Sequence, residues 1–163
     1  MSTNIDDINK ILDCIKKEAL NLFINDLSLN IENIENHISK NHISKNHFSS
    51  IELSNNNINL IIDLDIDNDL FEIIFKKFFK NDVTEEEKKE LVDALPNEII
   101  NIIVGLSIRN FPNKYKNLIL GLPLQIEDKK ISNNTNTKLS SFCKIVTSDG
   151  NLYLNLKQVI FLL

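Results

Sequence analysis

Two polar side chains interrupt an otherwise apolar run, Asn97-Glu98-Ile99-Ile100-Asn101-Ile102-Ile103-Val104-Gly105. On a helix turning about 100° per residue with Glu98 at zero, Asn101 falls near −60°, Gly105 near −20°, Ala94 near −40° and Arg109 near +20°. Val92, Leu95, Ile99, Ile100, Ile103 and Leu106 fill the opposite arc. Such a helix buries a wide apolar face and leaves a narrow stripe with one carboxylate and one carboxamide. The carboxylate can pair with a cation. The carboxamide is donor and acceptor at once, so it can hold and orient a water without titrating. Ala94 and Gly105 flank the pair, and a glycine in a helix interior costs about 1 kcal/mol relative to alanine. A stripe of small residues lets the backbone of another protein approach closely. The plain alternative is a solvated helix face with a glycine tolerated for packing, since exposed Glu and Asn are common on amphipathic helices.

Other chemistry is poorly supported. An activated nucleophile needs an adjacent base or a lowered pKa. Ser107 has no base beside it in sequence, and Cys143 sits in a strand-like segment. Cys14 and Cys143 are far apart and lack metal-type or redox-type spacing, which suggests two buried free thiols in a reducing cytosol. A tandem repeat, Asn36-His37-Ile38-Ser39-Lys40, Asn41-His42-Ile43-Ser44-Lys45, Asn46-His47-Phe48, spaces its histidines by five residues. That period does not gather imidazoles on one face, so no metal site is expected. The repeat reads as a polar hairpin insertion between strands.

The elements that must position the pair follow from periodicity. Residues 5–26 carry apolar side chains at spacings of three and four, a helix. Residues 27–34 are strand-like. Ile51 and Leu53, then Ile58, Leu60, Ile62, Leu64 and Ile66, alternate with more polar neighbours, giving two half-buried strands around the turn Asn55-Asn56-Asn57. Residues 69–80 form a second helix with a broad apolar face. Thr84 with Glu87 is a capping box, and Glu85 to Glu87 favour the positive end of a long helix running to about Arg109. Pro96 lies inside it and predicts a kink or a break. Residues 118–126 read as a strand interrupted at Gly-Leu-Pro, and 132–137 as a loop. Residues 139–146 and 152–162 read as a hairpin about Ser148-Asp149-Gly150. The fold class is α+β, a single mostly antiparallel sheet with long helices packed on it.

The 163 residues suit one domain. A net charge of −5 argues against a sequence-independent grip on nucleic acid, which needs a basic surface. The start, MSTNIDDINK, lacks the basic and apolar blocks of a signal peptide. No stretch approaches a membrane span, the most apolar part being broken by Asn101 and Gly105. A cytoplasmic protein that contacts neither membrane nor nucleic acid is expected.

Glu98-x-x-Asn101 followed by Gly105 resembles the signature helix of the CheX family of chemotaxis phosphatases, related to the CheC and FliY phosphatases. The strand 58–66, the helix 69–80, the acidic helix start at Thr84, the strand with Leu120-Gly121-Leu122-Pro123 and the hairpin at Asp149-Gly150 come in the family's order. Two departures are Pro96, two residues before Glu98, and the histidine repeat. The resemblance implies one CheX-like domain over 1–163, matched well over 48–163 and loosely over 1–47. It implies a phosphatase acting on the aspartyl phosphate of a CheY-type response regulator in chemotaxis or two-component signalling. Asn101 would orient the attacking water and Glu98 would pair with the regulator's active-site lysine. Ala94, Gly105 and Arg109 would touch the partner. No cofactor of its own is implied, the Mg²⁺ belonging to the regulator, and a homodimer is expected. A non-catalytic module of the same fold that binds a receiver domain or the flagellar switch remains the alternative.

Overall fold

The computed structural model describes residues 3–36, 46–79, 83–123 and 135–161. Helix α1 (Ile5–Leu20) is followed by β1 (Ile31–Asn36), β2 (His47–Asn55), β3 (Ile58–Ile66), α2 (Asn68–Phe79), α3 (Glu85–Ser107), β4 (Ile119–Leu120), β5 (Thr135–Thr147) and β6 (Gly150–Phe161). The strands form one six-stranded sheet in the order β1-β5-β6-β3-β2-β4, with antiparallel pairing throughout. The expected α+β class is the observed one.

Strand alternation sets the layers. Ile58, Leu60, Ile62, Leu64 and Ile66 of β3 face the core, register with Leu53 and Ile51 on β2 and with Leu152, Leu154 and Leu156 on β6, and are all buried. These side chains join one apolar cluster with Ile8, Ile11, Ile15 and Ala19 of α1, Leu70, Phe71 and Ile74 of α2, and Leu95, Ile99, Ile100 and Ile103 of α3. Each large side chain so buried contributes roughly 1.5–3 kcal/mol, which makes this layer the source of the fold's stability. On the reverse face, Asp63 of β3 holds Lys157 of β6 in an ion pair and accepts the Ser50 hydroxyl at 2.5 Å. Two tight turns close the hairpins. Asn55 Oδ1 accepts the Asn57 and Ile58 amides between β2 and β3. Gly150, at φ +141°, starts β6 against Leu70 and Asp67.

Several sequence expectations need correction. The first helix is α-helical only to Leu20; Asn21–Asp26 is π-helical, with Leu27 donating to the Leu22 carbonyl at 3.0 Å. The first strand starts at Ile31 rather than at residue 27, since Leu27 and Leu29 are committed to closing that wide turn and to the core. The histidine repeat does not join neighbouring strands. β1 pairs with β5, while β2 lies across the sheet between β3 and β4, so the two strands that flank the repeat are not neighbours; the expected hairpin insertion itself falls on residues outside the described ones. Residues 37–45, with His37 and His42, lie outside the described residues. The segment expected as a strand over 118–126 pairs only at Ile119–Leu120, and residues 124–126 lie outside the described ones. Strand β5 begins at Thr135, inside the expected loop. Of the thiols, Cys143 is buried but Cys14 is only half-buried and donates to the Asn110 carbonyl at 3.2 Å. By length and composition one helix, Glu85–Asn110, does reach what a membrane crossing requires. It is here a core helix, packed on the β2–β3 side of the sheet beside α1, which covers β5 and β6, with Leu95, Pro96, Ile99, Ile100, Ile103, Val104 and Ser107 buried.

Candidate functional site

Helix α3 begins as its sequence demands. Thr84 Oγ1 accepts the Glu87 amide at 3.3 Å, and the Glu87 carboxylate accepts the Thr84 amide at 2.9 Å. The Thr84 amide and the Thr84 hydroxyl, which donates to the same carboxylate at 2.7 Å, hold the Glu87 carboxyl below the usual carboxylate range. The helix then runs unbroken through Pro96 to Ser107, so the expected break does not occur. Pro96 is buried against the core, and the packing of Leu95, Ile99 and Ile100 on either side keeps the helix continuous despite the missing donor.

The helical wheel largely holds. Leu95, Ile99, Ile100 and Ile103 are buried, whereas Ala94, Glu98, Asn101 and Gly105 are all exposed on one stripe. Two members of the expected buried arc depart from it: Val92 is half-buried and Leu106 is 44% exposed. Leu106 falls between Leu95 and Ile99 on the wheel but in the last turn of the helix, which ends at Ser107. Arg109 is exposed as expected, but it lies in the 3-10 turn Ile108–Asn110 beyond the α-helix. Among the described residues, neither Glu98 nor Asn101 has a hydrogen-bond or ion-pair partner. One carboxylate and one carboxamide, one turn apart, thus lie exposed with no partner among the described residues. They can accept a cation and bracket a water or a phosphoryl oxygen.

Neighbouring elements frame the stripe. Among the described residues a Cβ on Gly105 would meet only Leu120 Cδ2, at 3.8 Å, so β4 borders the helix there. Gly121 continues that edge by donating to the Glu52 carbonyl at 2.8 Å, and Leu122 stands 83% exposed beyond it. On the side nearer β2, Asn97 Oδ1 accepts the hydroxyl of buried Ser49 at 2.5 Å. Ser49 carries no sequence signal, because its partner is 48 residues away.

The Glu-x-x-Asn spacing also occurs at Glu18 and Asn21 of α1, a repetition visible in the sequence but not picked out above. Its environment is the reverse. Glu18 is 5% exposed, and its two oxygens accept from Asn110 Nδ2 at 3.0 Å and Asn21 Nδ2 at 3.2 Å. Its capacity is spent inside the protein, clamping the chain after α3 to α1. The two candidate nucleophiles, Ser107 and Cys143, are unsuited to that role. Ser107 is buried and donates to the Val104 carbonyl at 2.8 Å, and burial pushes the Cys143 thiol up to about 11. Among the described residues no group of His, Cys, Asp and Glu is arranged to hold a metal ion.

No model of a known protein family matches the sequence, and no curated protein does. The fold does find relatives. CheX from Vibrio vulnificus aligns over 91% of this chain and 98% of its own, with a TM-score of 0.67 and 15% identity. A CheC-like superfamily protein from Shewanella sp. PV-4 covers 96% of this chain and 99% of its own, at 0.65 and 16%. The chain has the fold of the CheX and CheC-like chemotaxis proteins. A third CheX-like neighbour, from Borrelia burgdorferi, was crystallised as a CheX–CheY–BeF3–Mg²⁺ complex and aligns over 96% of this chain and 99% of its own, at 0.59 and 17% identity. At such identities the CheX likeness is one of architecture. What singles out α3 within that architecture is the geometry of its exposed stripe.

Proposed function

We propose that this CheX-like chain is a cytoplasmic phosphatase for the aspartyl phosphate of a CheY-type response regulator. The observation that carries the reading is the pairing on α3: Glu98 and Asn101 are exposed, unpartnered among the described residues, and backed by a rigid core helix. The fold shared with a protein crystallised on CheY supports the choice of partner.

Hydrolysis of an aspartyl phosphate needs a water in line with the phosphorus–oxygen bond of the leaving carboxylate. In this proposal the regulator's own Mg²⁺ and lysine neutralise the phosphoryl oxygens, and Asn101 supplies position. Its carbonyl accepts from the water and its amide donates to a phosphoryl oxygen, leaving a water lone pair aimed at phosphorus. Removing the orientational entropy beforehand accounts for several kcal/mol of barrier. The new oxygen–phosphorus bond forms as the bond to aspartate breaks, and inorganic phosphate leaves. Glu98, one turn away, pairs with the regulator's lysine and sets the docking register. Exposed Ala94 and Gly105 let the partner's backbone come close, and Arg109 borders the same surface. Self-association into a homodimer belongs to the same proposal and is read by analytical ultracentrifugation.

The two roles separate by experiment. Asn101→Ala is expected to bind a beryllofluoride-loaded CheY-type receiver within a few-fold of wild type and to lose assisted hydrolysis. Glu98→Lys is expected to lose binding through repulsion of the lysine. If Asn101→Ala retains full assisted hydrolysis, the water-orienting role is wrong. Undiminished binding by Glu98→Lys would remove the lysine pairing.

A further inference from the structure

We infer that the hydrogen bond from buried Ser49 to half-buried Asn97 is a positioning device that sets the rotation of α3 and thereby the aim of Asn101 and Glu98. This rests on the phosphatase reading above. Ser49 lies on the core face of β2, in register with Leu64 of β3, and is fully buried. A serine there contributes little apolar packing. Its hydroxyl is spent on Asn97, at 2.5 Å, the residue immediately before Glu98 and one turn before Asn101. Positions four apart are neighbours on a helix surface, so Asn97 and Asn101 share a side of α3.

The surrounding contact between α3 and the sheet is apolar: Leu95, Ile99, Ile100 and Ile103 against Ile51, Leu53 and Leu60. Apolar packing is close to non-directional and tolerates small rotations, whereas a short hydrogen bond between buried or half-buried partners does not. The bond also falls one residue after Pro96, where the helix lacks one of its own backbone bonds and is easiest to twist. It restores an anchor at that point.

The size of the effect follows from helix geometry. A helix with its side chains is about 10–12 Å across, so a side-chain tip sits roughly 5–6 Å from the axis. A rotation of about 10° moves that tip by about 1 Å, and a misplacement of that size can cost on the order of a hundredfold in rate. Binding, spread over the whole stripe, is far less sensitive.

The test compares Ser49→Thr with Ser49→Val, which match in shape and differ in the hydroxyl. Both are assayed below their unfolding transitions, beside Ser50→Ala, which breaks a similar strand hydrogen bond, to Asp63, on the opposite face. The expected result is a kcat for assisted phosphate release ten- to a hundredfold higher in the threonine variant than in the valine variant. KM, and affinity for a receiver carrying beryllofluoride and Mg²⁺, should stay within about threefold, with Ser50→Ala at the wild-type rate. Equal kcat in the two folded variants would overturn the inference, as would an equal loss in Ser50→Ala. If the Ser49 variants do not fold, Asn97→Asp, which keeps an acceptor, against Asn97→Leu poses the same question from the helix side. A wild-type protein that releases no phosphate refutes the phosphatase reading itself, and this inference with it. That result is distinct from an active wild type with matching variants.

Discussion

Gly105→Ala is expected to make the protein more stable and a poorer partner at once. Gly105 is exposed in the interior of α3, where glycine costs about 1 kcal/mol relative to alanine. A glycine is often explained by a neighbour that leaves no room. Here the added Cβ would meet, among the described residues, only Leu120 Cδ2 at 3.8 Å, an ordinary contact that does not offset the gain. Urea unfolding should therefore show the variant more stable by about 1 kcal/mol with an unchanged m-value, equivalent to roughly 2–4 °C in Tm for a chain of this size. If the glycine exists for close approach from outside, affinity for a CheY-type receiver should fall several-fold in Gly105→Ala and collapse in Gly105→Leu, whose fold should remain intact. A destabilised alanine variant would show that the fold itself needs this glycine. A leucine variant that binds normally would show that no partner approaches the stripe there.

Other expectations bear on stability and reactivity. Burial is the largest influence on His47, stacked on Phe71 at 3.5 Å, and lowers its pKa. The unfolded chain then takes up that proton first as pH falls, so the stability due to neutral His47 is present above about pH 6.5 and is lost as pH drops toward the folded value. Unfolding midpoints measured from pH 7.5 to 5 should decline, and His47→Gln should flatten that slope; an unaltered slope would assign it elsewhere. Cys143, buried with its thiol at about 11, should resist alkylation at pH 8 in the native protein and react fully in denaturant. Mass spectrometry that finds Cys143 modified in the native state would contradict its burial. Gly150→Ala should destabilise by about 1–3 kcal/mol, since a non-glycine residue is strained at φ +141° and its Cβ would sit 3.1 Å from Leu70 Cβ and 3.2 Å from Asp67 Cβ. Wild-type stability in that variant, by urea titration, would put the turn in another conformation.

What the sequence disclosed and what it hid divide along a physical line. Local periodicity and capping are properties of neighbouring residues. Thus Thr84 with Glu87, the alternation from Ile58 to Ile66, and the apolar arc of α3, apart from Val92 and Leu106, appear in the structure as written in the chain. The exposed stripe of Glu98 and Asn101 was legible for the same reason, being the complement of that arc. Long-range pairing was not. Nothing around the histidine repeat says that β1 must cross the sheet to pair with β5 and not turn back on β2. The Ser49–Asn97 bond and the clamp of Glu18 on Asn110 join residues far apart in the chain, which no local pattern encodes. At Pro96 the helix does not break, because propensity counts the lost backbone bond and not the packing around it. Another Glu-x-x-Asn, at Glu18, shows why spacing alone is weak: the carboxylate there is buried and internally satisfied.

The central claim is catalysis by the exposed pair on α3. It is tested most directly by the decay of a phosphorylated CheY-type regulator, taken from the same cell, with this protein at a small fraction of the regulator's concentration. The account predicts that each molecule releases many phosphates and that Asn101→Ala, still folded and still binding, releases none above the regulator's own rate. Decay that is unchanged by wild-type protein known to bind the regulator would contradict it, and would leave α3 as a docking surface without chemistry.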